Sequence, residues 1–116
     1  MKRTKSEIKV EKTVEMRGGK GEITLRSILN GEEEMHGKGR LFKHITIPVG
    51  ASIGHHVHEN ESETYYIMQG SGRYDDDGTT LDFAAGDMLF DAPGQGHSIE
   101  NTGDVPVEMI ALILYA

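Results

Sequence analysis

Apolar positions along this chain come in short runs separated by turn-forming residues. From about residue 40 onward the runs are "RLFKHITI", "TYYIMQ", "TLDF", "MLF" and "EMIALILY". They are cut by Pro48-Val49-Gly50, Gly70-Ser71-Gly72, Asp77-Gly78, Ala85-Gly86, Pro93-Gly94 and Thr102-Gly103. Short β-branched and aromatic runs at this spacing predict an all-β sandwich or barrel. Asp77-Gly78 predicts a type I′ hairpin turn, because both residues tolerate positive φ.

The N-terminal third has a weaker pattern. "SEIKVEKTVEM" carries Ile8, Val10, Val14 and Met16 at even positions, which predicts an exposed strand or one paired with another chain. "GEITLRSIL" predicts a second strand. Residues 30–39 read as a loop with at most a helical turn near Glu32–Met35. At the other end, the nearly continuous apolar run "VEMIALILYA" predicts a strand covered on both faces, with Pro106 at its start or edge. The expected organisation is one domain: strands and a loop over 1–39 that pack on the barrel or on a partner chain, and the barrel proper over 40–116. Exposed strand edges invite pairing, so a homodimer is expected, with residues about 5–16 exchanged between protomers.

A length of 116 residues suits one domain with its own core. No stretch reaches the roughly 18 consecutive apolar residues of a membrane span. "MKRTKSEIKV" is followed by no apolar signal region, so a cytoplasmic location is expected. The chain has no cysteine, which excludes disulfides, thiolate metal sites and thiol nucleophiles. A formal net charge of −7 argues against nucleic acid as a partner.

Chemistry concentrates in "GHHVHENESE", residues 54–63, which holds three histidines and three glutamates. On a strand, His56 and His58 share one face and His55 the other. Glu63 follows His58 after four residues, room for a turn, and "PGQGH" delivers His97 after a Pro-Gly turn. Three imidazoles and a carboxylate suit a first-row divalent ion with positions left open. Alone, such a stretch also reads as a solvated acidic loop. If the carboxylate faces a barrel interior, however, its burial costs several kcal/mol unless a cation compensates.

Gly50–Gly70, "GASIGHHVHENESETYYIMQG", resembles the first motif of the cupin superfamily, G-x(5)-H-x-H-x(3,4)-E-x(6)-G, at every defined position. Gly86–Asn101, "GDMLFDAPGQGHSIEN", resembles the second, G-x(5)-P-x-G-x(2)-H-x(3)-N, with Ala92 where the motif has proline and Pro93 beside it. The resemblance implies a jelly roll of two packed antiparallel sheets. It implies metal ligation by His56, His58, Glu63 and His97, with one divalent transition metal per chain (Mn, Fe, Ni, Co, Cu or Zn). It places Gly50, Gly70, Gly86 and Gly94 at turns, and Asn101 as a fastener of the His97 turn.

His44 and Phe42, on one face of "RLFKHITI", are candidates for the cavity wall, as are Tyr65 and Arg40. Ile67 reads as core, and His55 and Asp75–Asp77 as surface. His36 is assigned no role. The function implied is metal-dependent action on a small polar organic acid, decarboxylase- or dioxygenase-like; the alternative is non-catalytic binding or sensing of a sugar or organic acid. The resemblance is greatest to compact proteins described as oxalate-decarboxylase-like. Oxalate turnover itself is disfavoured, because Ile53 stands where such enzymes carry a substrate-binding arginine. Arg40 and Arg26 are the nearest cationic substitutes. No basic cluster adjoins the motifs to hold a sugar phosphate.

Overall fold

A computed structural model describes residues 1–116. Ten strands follow one another along the chain. These are β1 (Val10–Val14), β2 (Glu22–Leu29), β3 (Gly39–Ile47), β4 (Ser52–Val57) and β5 (Glu61–Gln69). Then come β6 (Ser71–Asp76), β7 (Thr79–Ala84), β8 (Met88–Asp91), β9 (Gly96–Glu100) and β10 (Val107–Tyr115). They form two antiparallel sheets, one of six strands in the order β1-β2-β3-β10-β5-β8 and one of four in the order β4-β9-β6-β7. Alternate residues of each sheet face the other, as the two-residue period of a strand requires. Ile23, Leu25, Ile45, Ile47, Ile67, Val107 and Met109 of the large sheet meet Ile53, Tyr74, Phe83 and Ile99 of the small one in a single core. This is the jelly-roll arrangement of two packed antiparallel sheets.

Turn chemistry follows the sequence closely. Asp77 (φ 47°) and Gly78 (φ 96°) join β6 to β7, whose flanking residues Asp76 and Thr79 pair directly. Positive φ at both central residues is the type I′ signature. Residues 31–34 form the single helical turn α1 (Gly31–Glu34).

The expectation for the last strand needs correction. The β10 run is not covered on both faces. Its odd positions Val107, Met109, Ala111 and Ile113 are buried, whereas Ile110 and Leu112 are half-buried and Leu114 is exposed. Hydropathy alone does not separate a strand buried on two faces from one whose outer face is apolar but open. The N-terminal strand has a partner in its own chain, since β1 pairs with β2 from Val10↔Arg26 to Val14↔Glu22.

Two β-bulges decide which side chains reach the interior. On β4 the register against β9 slips between Ile53↔Ile99 and His56↔His97, leaving one extra residue on β4. Ile53 and His56 have opposite parity, yet both turn inward because the bulge at Gly54-His55 resets the alternation. On β3 the register against β10 slips where Ile113 pairs with Leu41 and Leu114 with Gly39. Arg40 is the extra residue, so Arg40 and Leu41 both line the interior cavity. His44 and Phe42 lie beyond that bulge on the outer face, contrary to the expectation that they line the cavity. Their inward neighbours are Leu41 and Ile45.

Between β1 and β2 the chain crosses over β4 as a strap with a 3-10 turn at Met16–Gly18. The contact is backbone on backbone. A Cβ on Gly54 would stand 2.1 Å from the Arg17 carbonyl oxygen, and one on Gly19 would stand 2.2 Å from the Ser52 carbonyl oxygen. The Lys20 amide donates to Ser52 Oγ (2.9 Å) and the Ser52 amide donates to the Lys20 carbonyl (2.9 Å). Gly54→Ala must lift the strap off β4 and should destabilise the protein by about 1–3 kcal/mol. The urea unfolding midpoint of the variant checks this, and a midpoint equal to the parent's would show that the strap yields freely.

Candidate metal centre

His56 lies on β4, His58 in the β4–β5 turn, Glu63 on β5 and His97 on β9. The two sheets thus contribute from opposite sides. One ligand-capable atom from each of the four residues lies within 4.8 Å of every other. His58 Nε2 and His97 Nε2 are each 2.9 Å from Glu63 Oε1, and His56 Nε2 is 3.7 Å from it. His97 Nε2 stands 3.0 Å from His56 Nε2 and 3.2 Å from His58 Nε2.

The other ring nitrogens explain what this convergence means. His56 Nδ1 is 2.8 Å from the carbonyl oxygen of Gly54, the bulge residue of its own strand. His58 Nδ1 is 2.7 Å from Glu61 Oε2, and His97 Nδ1 is 2.6 Å from the Tyr74 hydroxyl. Tyr74 in turn donates to Asp91 Oδ1. Each imidazole therefore has an acceptor for an Nδ1–H, which leaves Nε2 as a bare lone pair. Three such lone pairs and a carboxylate oxygen aimed at one point repel one another unless a cation lies between them. The donor set is all nitrogen and oxygen and fits a first-row divalent ion.

Electrostatics agree with the geometry. With no cation between them, hydrogen bonds from the imidazoles to Glu63 replace this repulsion: burial pushes the Glu63 carboxyl up, but hydrogen bonds from His56, His58 and His97 outweigh it and hold the group far below the usual carboxylate range. Hydrogen bonding to Glu63 raises His58 above its ordinary 6.5. Glu61 is held down chiefly by Arg40, which grips it with two hydrogen bonds of 2.9 and 2.8 Å. Burial also raises Tyr74, and with it Tyr65. Asp91 is fully buried and its Oδ2 has no hydrogen-bond partner. Burial, with the Asp91 charge beside it, pushes the neighbouring Asp76 up.

The cavity over these residues has a volume of about 70 Å³ and is lined by His56, His58 and Glu63 together with Arg17, Arg40, Tyr65, Met16 and aliphatic side chains. Tyr65 is buried and stacks on His97 at 5.3 Å with 11° between the ring planes. His44 and Arg26 sit elsewhere: His44 Nε2 is 2.7 Å from Glu108, and Arg26 donates to Thr46 at 2.8 Å. His55 is exposed on the outer surface. Asn101 Nδ2 donates to the carbonyls of Ile47 and Val105, and its Oδ1 accepts from the Gly103 amide. Gly94 (φ 86°) follows Pro93 in a turn closed by the Gln95 amide on the Ala92 carbonyl. Ala92, where the motif has proline, uses its free amide to donate to Gln95 Oε1 at 2.8 Å. The departure thus supplies a hydrogen bond that proline could not. Sequence reasoning missed Glu61, Tyr74, Asp91 and Arg17. The first three act through another residue's imidazole, and Arg17 comes from outside the motifs; no spacing rule points to them.

A jelly roll of two packed antiparallel sheets with three histidines and a glutamate converging inside it is the architecture of the cupins, and the chain belongs to that family: residues 43–113 match the cupin domain. An oxalate-binding protein of Thermotoga maritima is 46% identical over 94% of this chain and 89% of its own length. A crystal structure from Thermotoga maritima, described as a predicted oxalate decarboxylase, is 44% identical and covers both chains fully, with a TM-score of 0.94. A sugar phosphate isomerase of the cupin superfamily from Silicibacter pomeroyi is 16% identical over all of this chain and 76% of its own, with a TM-score of 0.75. That last likeness is one of fold.

Metal binding needs neutral imidazoles and an ionised carboxylate, so it competes with protons. Because His58 is raised, apparent metal affinity should begin to fall while pH is still above 6.5 as the solution is acidified, and keep falling at lower pH. In the metal-free protein the His58 interaction has the opposite sign. It stabilises the fold fully below the imidazole's unfolded value and fades as pH rises through the raised one. Competition with a chromogenic chelator across this range checks the first trend. An affinity independent of pH would mean that His58 is not a ligand.

Proposed function

We propose that this cupin binds a small dicarboxylate of the oxalate class on a divalent transition metal held by His56, His58, Glu63 and His97, and does so without turning it over. The observation that carries this reading is the cavity itself. Its volume of about 70 Å³ is well below the roughly 300–1,000 Å³ of sites for drug-sized ligands. Such a space suits a ligand of a few heavy atoms and is too small for a sugar. Its wall includes the Arg17 guanidinium, which no carboxylate engages, and the similarity to the Thermotoga maritima oxalate-binding protein supports the ligand class.

Residues around the cavity favour retention over reaction. A bound divalent ion would supply Lewis-acid charge to the ligand's oxygens. Decarboxylation also needs a group to deliver a proton to the carbon that loses CO2. Glu63 faces the three imidazoles, and Glu61 is engaged by Arg40 and His58. Tyr65 is raised by burial and is a poor acid at neutral pH. The remaining wall is aliphatic or guanidinium.

We place the protein in the cytoplasm as a homodimer. Tyr66 (50% exposed), Met68, Met88 (60%), Phe90 (48%) and Leu114 form an apolar outer face on the large sheet, the kind of surface that association covers.

Elemental analysis should find about one equivalent of transition metal per chain, lost in a His56→Ala/His58→Ala variant. Calorimetry should show oxalate binding to the metal-loaded parent alone, with no formate or CO2 released. Sustained formate release would replace this reading with a decarboxylase, and no oxalate binding by the loaded protein would end it. Light scattering at micromolar concentration should give twice the 12.8 kDa chain mass; a single-chain mass would count against the dimer.

A further inference from the structure

We propose that Arg17, carried by the strap between β1 and β2, is the residue that makes the metal cavity select dianions over monoanions; this rests on the ligand class proposed above. Arg17 lines the same cavity as His56, His58 and Glu63 although it lies about forty residues before them in the chain.

Its backbone is held in a conformation that needs an explanation. Glu15 (φ 53°) and Arg17 (φ 55°) both occupy the left-handed region, which residues other than glycine rarely adopt and which stores backbone strain. The surrounding contacts enforce it. The Glu15 amide donates to the Gly21 carbonyl at 3.0 Å, and the Gly18 amide donates to the Glu15 carbonyl at 3.0 Å. The Arg17 carbonyl itself abuts Gly54, the bulge residue whose carbonyl orients His56. Two tight glycine contacts and two left-handed residues thus bring an arginine to the mouth of a cavity. A mere connection between β1 and β2 requires none of this.

Charge shows what that arginine is for. Arg40 is tied to Glu61 through two hydrogen bonds, so the pair is neutral and has no free donor fork for a ligand. Arg17 is exposed and engaged by no carboxylate or carbonyl. With neutral imidazoles, a divalent ion and the Glu63 carboxylate leave a single positive charge in the cavity. Arg17 brings the total to two, the complement of a dicarboxylate dianion. Guanidinium geometry adds a two-pronged match to a carboxylate edge. Oxygens on the metal would anchor one side of the ligand, and Arg17 would close on the carboxylate oxygens facing the mouth.

Two ligands separate charge from chelation. Oxalate and glycolate each offer two oxygens to a metal, but at neutral pH oxalate carries two negative charges and glycolate one. Calorimetry would be run on metal-loaded parent, Arg17→Ala and Arg17→Lys proteins, with metal content and thermal midpoint measured on each. The parent should prefer oxalate. Arg17→Ala should weaken oxalate binding about tenfold or more, the scale of a lost charged hydrogen bond, and change glycolate binding less than about twofold. Arg17→Lys, which keeps the charge and loses the fork, should recover part of the oxalate affinity at unchanged metal content. Equal losses for both ligands would assign Arg17 to packing of the strap, and oxalate affinity unchanged in Arg17→Ala would remove it from the site; either result overturns the proposal. A fully metal-loaded parent that ignores oxalate would end the ligand class and this inference together.

Discussion

A buried carboxylate facing three imidazole lone pairs is the constraint on which the rest of this structure depends. Glu63 and His97 are almost wholly excluded from solvent, and stripping water from a carboxylate is affordable only with strong compensation. Every neighbouring feature keeps the four groups aimed at one point. The β4 bulge turns His56 inward and offers Gly54's carbonyl to its Nδ1. Glu61 orients His58 and is itself gripped by Arg40, while Tyr74 and Asp91 orient His97. These second partners come from β3, β5, β6 and β8, so both sheets are tied to the centre. The site and the sandwich are one cooperative object.

Position and charge follow from the way the barrel closes. The large sheet supplies the aliphatic wall through Leu41, Ile45 and Ile113, and the strap supplies Met16 and Arg17 at the opposite rim. The resulting chamber is small, and of its two arginines Arg40 is paired with Glu61 whereas Arg17 is exposed. A larger polar groove of about 380 Å³ runs over the outer face of the small sheet, past His55, Arg73 and Glu100. It mixes both charge signs and shares with the metal cavity only the strap and the β4 backbone.

Much of this was legible in the chain itself. Gly50, Gly70, Gly86 and Gly94 all take positive φ, so glycine spacing located the turns directly. Asp77-Gly78 made its I′ hairpin for the same local reason. The histidine spacing also survived folding, because His56 and His58 lie on one strand end and Glu63 on the next. Expectations failed where a residue's direction depended on a register slip. Phe42 and His44 were assigned inward by simple alternation, and the bulge beside Arg40 placed the inward set one position over. The apolar β10 run could not by itself reveal that its even positions face outward.

Sequence alone therefore determined most of the elements, the turns and the four converging side chains, since these rest on backbone preferences and on two short motifs of fixed internal spacing. Only the tertiary structure decided what surrounds them. Glu61 with Arg40, Tyr74 with Asp91, and the strap bearing Arg17 reach the centre through pairings between distant strands. One bulge or one backbone contact sets each direction, and neither leaves a periodic trace in the chain. The candidate metal ligands could thus be read from motif spacing, whereas the size and lining of the cavity beside them had to await the packing of the two sheets and the strap.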